Sequence, residues 1–468
     1  MLTPFAESSL GHYSRLFPPA APCDDFEASR AALSALACAM VDDGTRVSEE
    51  RPEILLEAGY TYFGQFVAHD LTKDVSSVDD AWRKEPHEIE NQQTPRLDLG
   101  VLYGAGPETS GDLYEDDGVR LKVAAAAAGA RSFDICTNHE GAGLLADDRG
   151  ASNSILRQMT AVFARLHNFA VEQFRPTARD RVELFARAQQ QLRWQFQWLV
   201  CKDYLPNVLN REVCNRVIRA GQGAIQWNTF SIPIEFSAAA MRFGHAMVRP
   251  NYLLSMGQEM LLPKILGRLP DRGALEAGMK INWGLFFQGA GEGAALTTRP
   301  IDTRLALPLQ QLPADLIGVA EVACPHHRIE KNPAQLPLRT LIRGAGLRLA
   351  SGQTAARAFG EPVLSEAELT QDSRGRETEQ GRILRQANLL HETPLWYYIL
   401  KESEVRENGN RVGPVGSNIV AETIQAALRF DPDSYLNRSE AGPPVWHFPD
   451  GPTQIRGLSE LFRRASDL

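Results

Sequence analysis

Along Ser154–Phe174 apolar residues recur at three- and four-residue spacing, at Leu156, Met159, Val162, Phe163 and Leu166, and a second pattern of the same period runs over Arg179–Val213. A chain with two long amphipathic stripes in succession must bury both, most simply against each other and against further helices. The second stripe exceeds the usual length of a globular helix. Pro206, which has no N–H and whose ring crowds the preceding turn, should end or kink it. Further helical patterns fall at Phe26–Met40, Ile54–Leu71, Pro233–Met247, Thr354–Phe359, Ser365–Thr370, Thr393–Ser403 and Val412–Phe430. Strand candidates are few and short, Leu121–Ala124 and Ser132–Ile135 being the better ones. The polar stretch Asp79–Gln93 reads as a surface loop, Thr94–Gly111 as turns, and the alanine run Ala124–Ala128 as helix or compact packing. The predicted fold class is mostly α, a single large helical domain over residues 51–468 with few short strands. Residues 1–50, Pro-rich around Pro18, Pro19 and Pro22, form an N-terminal arm that wraps it.

Composition excludes several function classes. A net charge of -9 with no basic stripe argues against nucleic acid as a partner, because phosphates demand concentrated Lys and Arg. No run approaches the ~20 apolar residues of a membrane span, and the first residues lack the basic and apolar regions of a secretory signal, which predicts a soluble, cytoplasmic protein. Cys23, Cys38, Cys136, Cys201, Cys214 and Cys324 show no CxxC spacing, so free thiols are expected rather than a zinc site or disulfide framework.

Three segments carry chemistry. In Tyr62-Phe63-Gly64-Gln65-Phe66-Val67-Ala68-His69-Asp70, Gln65 and His69 share one helix face, while Asp70 points elsewhere and can bind a cation. Taken alone, that pattern more often marks a satisfied core histidine beside a capping carboxylate. Met241-Arg242-Phe243-Gly244-His245 sits in an apolar helix, Phe236–Val248, closed by Pro250; Gly244 would let a flat macrocycle approach the backbone closely. Asp147-Asp148-Arg149-Gly150-Ala151-Ser152 precedes a long helix and by itself reads as a surface ion pair.

In order and spacing these segments resemble the animal haem peroxidases (the myeloperoxidase-like superfamily), in a bacterial-style form. The shared landmarks are a distal G-Q-x-x-x-H-D, a calcium loop at Thr94–Gly104, the arginine before a long helix, and a proximal R-[FY]-G-H. Leu338–Gly344 and Arg411–Gly416 match further landmarks, so that the resemblance spans roughly Tyr60 to Leu436. It implies that His245 ligates haem iron through a neutral imidazole. His69 would move a proton from the near to the far oxygen of hydrogen peroxide, Arg149 would stabilise the departing oxygen, and Gln65 would hold a distal water or anion. The oxidised haem would then draw electrons from a small-molecule donor. The implied calcium ligands are Asp70, Thr94, the Arg96 carbonyl and Asp98, with Gly100 where the family has Ser or Asp.

The departures refine the expectation. Where mammalian members form ester bonds to haem, this chain has Ala68 and Ser152, and Asn153 stands at the position of a further linking Met, so haem b should be non-covalent and chloride oxidation is not expected. Arg242 stands where the fatty-acid dioxygenases and cyclooxygenases carry a radical-forming tyrosine, which favours a peroxidase. Thr340 stands where the family has an Asn that accepts a hydrogen bond from the proximal His. The reading is therefore a haem peroxidase acting on phenol-like donors, with bromide or iodide as lesser substrates, and with it a place in the response to oxidative stress. Its rivals are a haem-binding protein with weakened catalysis and an oxygenase or natural-product oxidase on the same scaffold. Gly289–Gly293 misses the dinucleotide fingerprint, His326-His327 reads as a solvated loop pair, and His167 with Asn168 as helix packing.

Overall fold

The computed structural model describes residues 2–5, 11–21, 26–42, 54–74, 76, 84–124, 133–139, 142–255, 257–267, 279–317, 334–437 and 442–468. His326-His327 and most of the alanine run lie outside them. The helices that build the core are α1 (Phe26–Ala39), α2 (Gly59–Leu71), α3 (Ser154–Phe174), α4 (Arg181–Leu199), α5 (Gly244–Met247), α6 (Leu336–Gly346), α7 (Leu395–Glu407), α8 (Pro414–Arg429) and α9 (Leu458–Asp467). The strands among the described residues pair only two by two, the longest hairpin being Asn251–Ser255 with Gln258–Leu261. The short strand candidates pair with each other, Val123 opposite Ile135.

The two long stripes pack on each other, α3 against α4, and α2 packs against α3. Phe66 stacks on Phe163 at 4.9 Å, while Phe63 and Phe163 meet Phe196 edge-on at 5.8 and 5.9 Å, so one aromatic cluster locks α2, α3 and α4 together. All four rings are buried, and burial of each contributes about 2 kcal/mol. The N-terminal arm enters the same core: Tyr13, Leu16 and Phe17 are buried, and the N–H groups of Leu16 and Phe17 donate to the Glu235 carboxylate.

Two predicted helices differ from the structure in instructive ways. The Arg179–Val213 stripe leaves α geometry at Val200, six residues before the proline, and runs as a π turn over Val200–Tyr204, with Leu205 N–H bonded to the Val200 carbonyl. Pro206 then lies in the first turn of a short helix, Leu205–Val208, where its missing N–H costs nothing. The π turn docks on α2, where Tyr60 Oη donates to Asp203 at 2.7 Å. The expected single helix around Met241 is instead three pieces: Ile234–Ala238, a 3-10 turn Ala240–Phe243, and α5. Ala239, at φ -134 and ψ -67, makes the break, and the turn after it packs under α7 and α8.

Candidate functional site

Helix α2 brings Gln65 and His69 onto one face, as their spacing predicts. Its early turns are held tightly: a Cβ added at Gly64 would stand 2.2 Å from the Tyr204 hydroxyl, so glycine is required for the π turn to approach. Gln65 meets two of the three residues at the positions where the resemblance places haem-linking side chains, Ser152 and Asn153. Its amide nitrogen donates to Ser152 Oγ at 3.4 Å, and Asn153 Nδ2 donates to its oxygen at 3.1 Å. Asn153 also caps α3, accepting from Leu156 N–H at 2.7 Å.

Arg149 lies at the C-terminal end of α2, where unpaired carbonyls favour a cation. It donates to the carbonyls of Thr72 and His69 at 2.7 and 3.0 Å, and Asp147 accepts from both Nε and Nη2, the shorter contact being 2.5 Å. Burial pushes the Asp147 carboxyl up, but the hydrogen bonds and charge of Arg149 outweigh it and hold the group well below its ordinary value. Burial, followed by the charge of Arg149, pushes His69 down to about 3, so its imidazole is neutral at pH 7. Asp147 is the residue whose role the sequence concealed: an arginine beside two aspartates looks like surface, whereas this carboxylate is buried and fixes the guanidinium against α2.

Helix α5 carries His245 and packs against α2. Burial and then Arg242 push this imidazole down to about 3, leaving it neutral with a lone pair for a metal. Its Nδ1 is buried and has no hydrogen-bond partner among the described residues. Thr340, on α6, is buried, but its hydroxyl donates to the carbonyl of Leu336 in its own helix at 3.0 Å. Among the described residues no bond joins Thr340 to His245, although the hydroxyl that donates to Leu336 keeps lone pairs with which to accept one. Trp396 meets the His245 ring edge-on at 6.0 Å and donates from Nε1 to the Arg242 carbonyl at 3.1 Å.

The residues present fit haem. A Cβ added at Gly244 would meet no heavy atom within 4 Å, leaving room beside His245 for a flat ring. Arg242 donates from Nε to the Ser237 carbonyl and is pushed down to about 10, by burial first and then by Arg343. Arg343 binds Asp74, and Arg339, one turn away, has a buried Nη1 with no partner. Three guanidinium groups near one carboxylate leave positive charge to be met, which suits the two carboxylates of haem. Arg339 and Arg343 were missed as functional residues; their four-residue spacing on one helix was the available signal.

The predicted calcium residues are brought together in part. Asp70 accepts from Leu99 N–H at 3.0 Å and from Val101 N–H at 3.3 Å, while Asp98 accepts from the Thr94 hydroxyl at 2.7 Å and from Gly100 N–H at 3.2 Å. Burial raises both carboxyls, and Asp98 raises Asp70 further. A Cβ at Gly100 would stand 3.4 Å from Asp98 Oδ1 and 3.9 Å from Asp70 Oδ1, so the side chain the family carries there would point at both carboxylates. The Arg96 side chain turns toward Asp431, at 3.9 Å. No three His, Cys, Asp or Glu side chains converge for a metal among the described residues. His167 and Asn168 are absorbed in packing, His167 bonding Tyr103 Oη and the Val119 carbonyl, and Asn168 bonding both backbone groups of Leu121.

The mostly helical chain thus places a neutral histidine on each of two packed helices. The family model for animal haem peroxidase matches residues 76–264, which include Arg149 and His245 and begin after His69. No curated protein matches the chain. Among solved structures, peroxidase A from Dictyostelium discoideum has 16% identity and a TM-score of 0.60, over 94% of this chain and 93% of its own. A fatty acid alpha-dioxygenase from Arabidopsis thaliana has 13% identity and a TM-score of 0.64, over 92% and 73%. The Oryza sativa fatty acid alpha-dioxygenase has 13% identity and a TM-score of 0.64, over 91% and 76%. Residues 76–264 are thus similar in sequence to the animal haem peroxidase family, and nearly the whole chain shares the fold of these solved structures. Members of the animal haem peroxidase family bind haem. No helix among the described residues is long and apolar enough to cross a membrane.

Proposed function

We propose that this chain is a haem peroxidase that reduces hydrogen peroxide and oxidises a small phenol-like donor, with haem b held non-covalently on His245. The observation that carries the proposal is His69: a neutral imidazole, beside a fixed guanidinium, on a helix packed against the one bearing a second neutral, unpartnered histidine. Bound haem would supply the iron at which the O–O bond breaks and the oxidising equivalents are held. His69 accepts a proton from the near peroxide oxygen and returns it to the far one, which leaves as water. Arg149, already paid for in hydrogen bonds to Asp147 and two carbonyls, contributes a fixed positive field without reorganising. Gln65 is held by Ser152 and Asn153 to orient a water or anion. Arg242, in place of the dioxygenase tyrosine, favours peroxidase over dioxygenase chemistry. Asp70, Thr94, Asp98 and the Arg96 carbonyl would hold a calcium ion that braces the end of α2.

A second reading, a haem-binding protein with weakened catalysis, draws on the unpartnered Nδ1 of His245. A ligand histidine with no acceptor on its far nitrogen donates less electron density to a metal. One experiment separates the readings: mix the haem-loaded ferric protein with one equivalent of peroxide in a stopped-flow spectrometer, alongside His69→Ala and His245→Ala. A rapid Soret shift that slows by roughly 10²- to 10⁴-fold in His69→Ala supports the peroxidase. Slow bleaching alone transfers support to the second reading, and a Soret band unaffected by His245→Ala removes both.

A further inference from the structure

Beyond the haem region, α3 carries a second polar feature. Arg165 lies about 16 Å along α3 from its start at Ser154. It lines a cavity of about 770 Å³ between the Val123–Ala124 strand, the Val445–Gln454 hairpin and α9. The cavity shares no residue with the site of His69, Arg149 and His245. The Arg165 guanidinium lies flat on the Phe133 ring, 3.3 Å from its centre. It has no carboxylate or carbonyl partner among the described residues, and its Nε is buried and unbonded. Burial pushes this arginine down with nothing to compensate. The other arginines of the cavity are matched: Arg120 by Asp117, Arg463 by Asp467 and Arg464 by Asp450. The apolar wall is aromatic, with Phe169 stacked on Phe448 at 4.9 Å and Arg464 lying over Phe448.

We propose that this cavity binds a small aromatic monocarboxylate, with Arg165 as the partner of its carboxylate and the Phe169–Phe448 pair as the face for its ring. A planar guanidinium fixed on a phenylalanine presents its outer edge to a carboxylate, the geometry of bidentate recognition. The volume is that of a small-molecule site. With Arg120, Arg463 and Arg464 each matched by a carboxylate, Arg165 is left as the single uncompensated charge of the wall, which suits one carboxylate better than a multiply charged phosphate.

The test uses the haem-loaded full chain and 2-naphthoate as the probe, with 2-naphthamide as the neutral match, followed by calorimetric titration. The expected result is saturable 1:1 binding of the acid with the Soret band unchanged, and at least tenfold weaker binding of the amide. Arg165→Gln should weaken the acid at least tenfold and leave the amide as it was, with far-UV circular dichroism and thermal midpoint as checks on folding; Arg165→Lys, which keeps the charge but not the fork, should fall between. Equal affinity for acid and amide, equal affinity of wild type and Arg165→Gln, or binding that shifts the Soret band in both proteins would each overturn the proposal.

Discussion

The two histidine-bearing helices are held in opposite ways. On the α2 side the groups flanking His69 are tied: Gln65 to Ser152 and Asn153, Arg149 to Asp147 and two carbonyls, Asp70 to two backbone N–H groups. On the α5 side His245 is held by packing alone, its Nδ1 unbonded, Trp396 at its edge and Thr340 turned back on its own helix. Directional bonds fix groups that must meet a reacting molecule in one orientation. A ring placed by packing is fixed in position but not in electronic character, since nothing accepts from its far nitrogen.

That contrast can be broken from either side. The largest effect is expected from Asp147→Asn, which leaves Arg149 without its buried carboxylate: on the order of 3 kcal/mol of stability should be lost in urea unfolding at pH 7. Because the folded carboxyl is depressed, wild type's advantage should be full above about pH 4, the unfolded value, and shrink as pH falls below it. An advantage independent of pH would show that the pair is not what holds this side. Next, Thr340→Asn would offer His245 the acceptor it lacks. The haem-loaded variant should have a lower reduction potential and react with peroxide up to about tenfold faster; an unchanged potential would mean the ring's far nitrogen does not tune the site. Asn153→Ala, which removes both a helix cap and a tie to Gln65, should cost about 1 kcal/mol by thermal unfolding. Smallest is Ser152→Ala, where the 3.4 Å contact to Gln65 is long and a change within about 0.5 kcal/mol is expected.

The same contrast explains what could be read in the sequence. The α3 stripe appears with the predicted bounds because one periodic face, a capping Asn153 and a continuous core all act together. Gln65 and His69 share a face because helix geometry requires it. The break at Ala239 was hidden, since alanine is the best helix former and only the packing of the following turn under α7 and α8 dictates it. Likewise Pro206 announced a distortion, but its position and π form depend on contacts between Asp203, Tyr204 and α2, far apart in sequence. Leu338–Gly344 stands among the landmarks of the resemblance, but helix α6 is not predicted there and its two arginines are given no role, because its stripe is short.

The close approach of Tyr204 to Gly64 sets a mechanical constraint. With the Tyr204 hydroxyl seated where a Cβ would be, α2 cannot slide along its axis by even one residue, about 1.5 Å, without driving a side chain into that oxygen. The height of His69 above its neighbours is thus indexed by a notch five residues earlier. Tyr204 thus serves as the detent for the helix that carries His69.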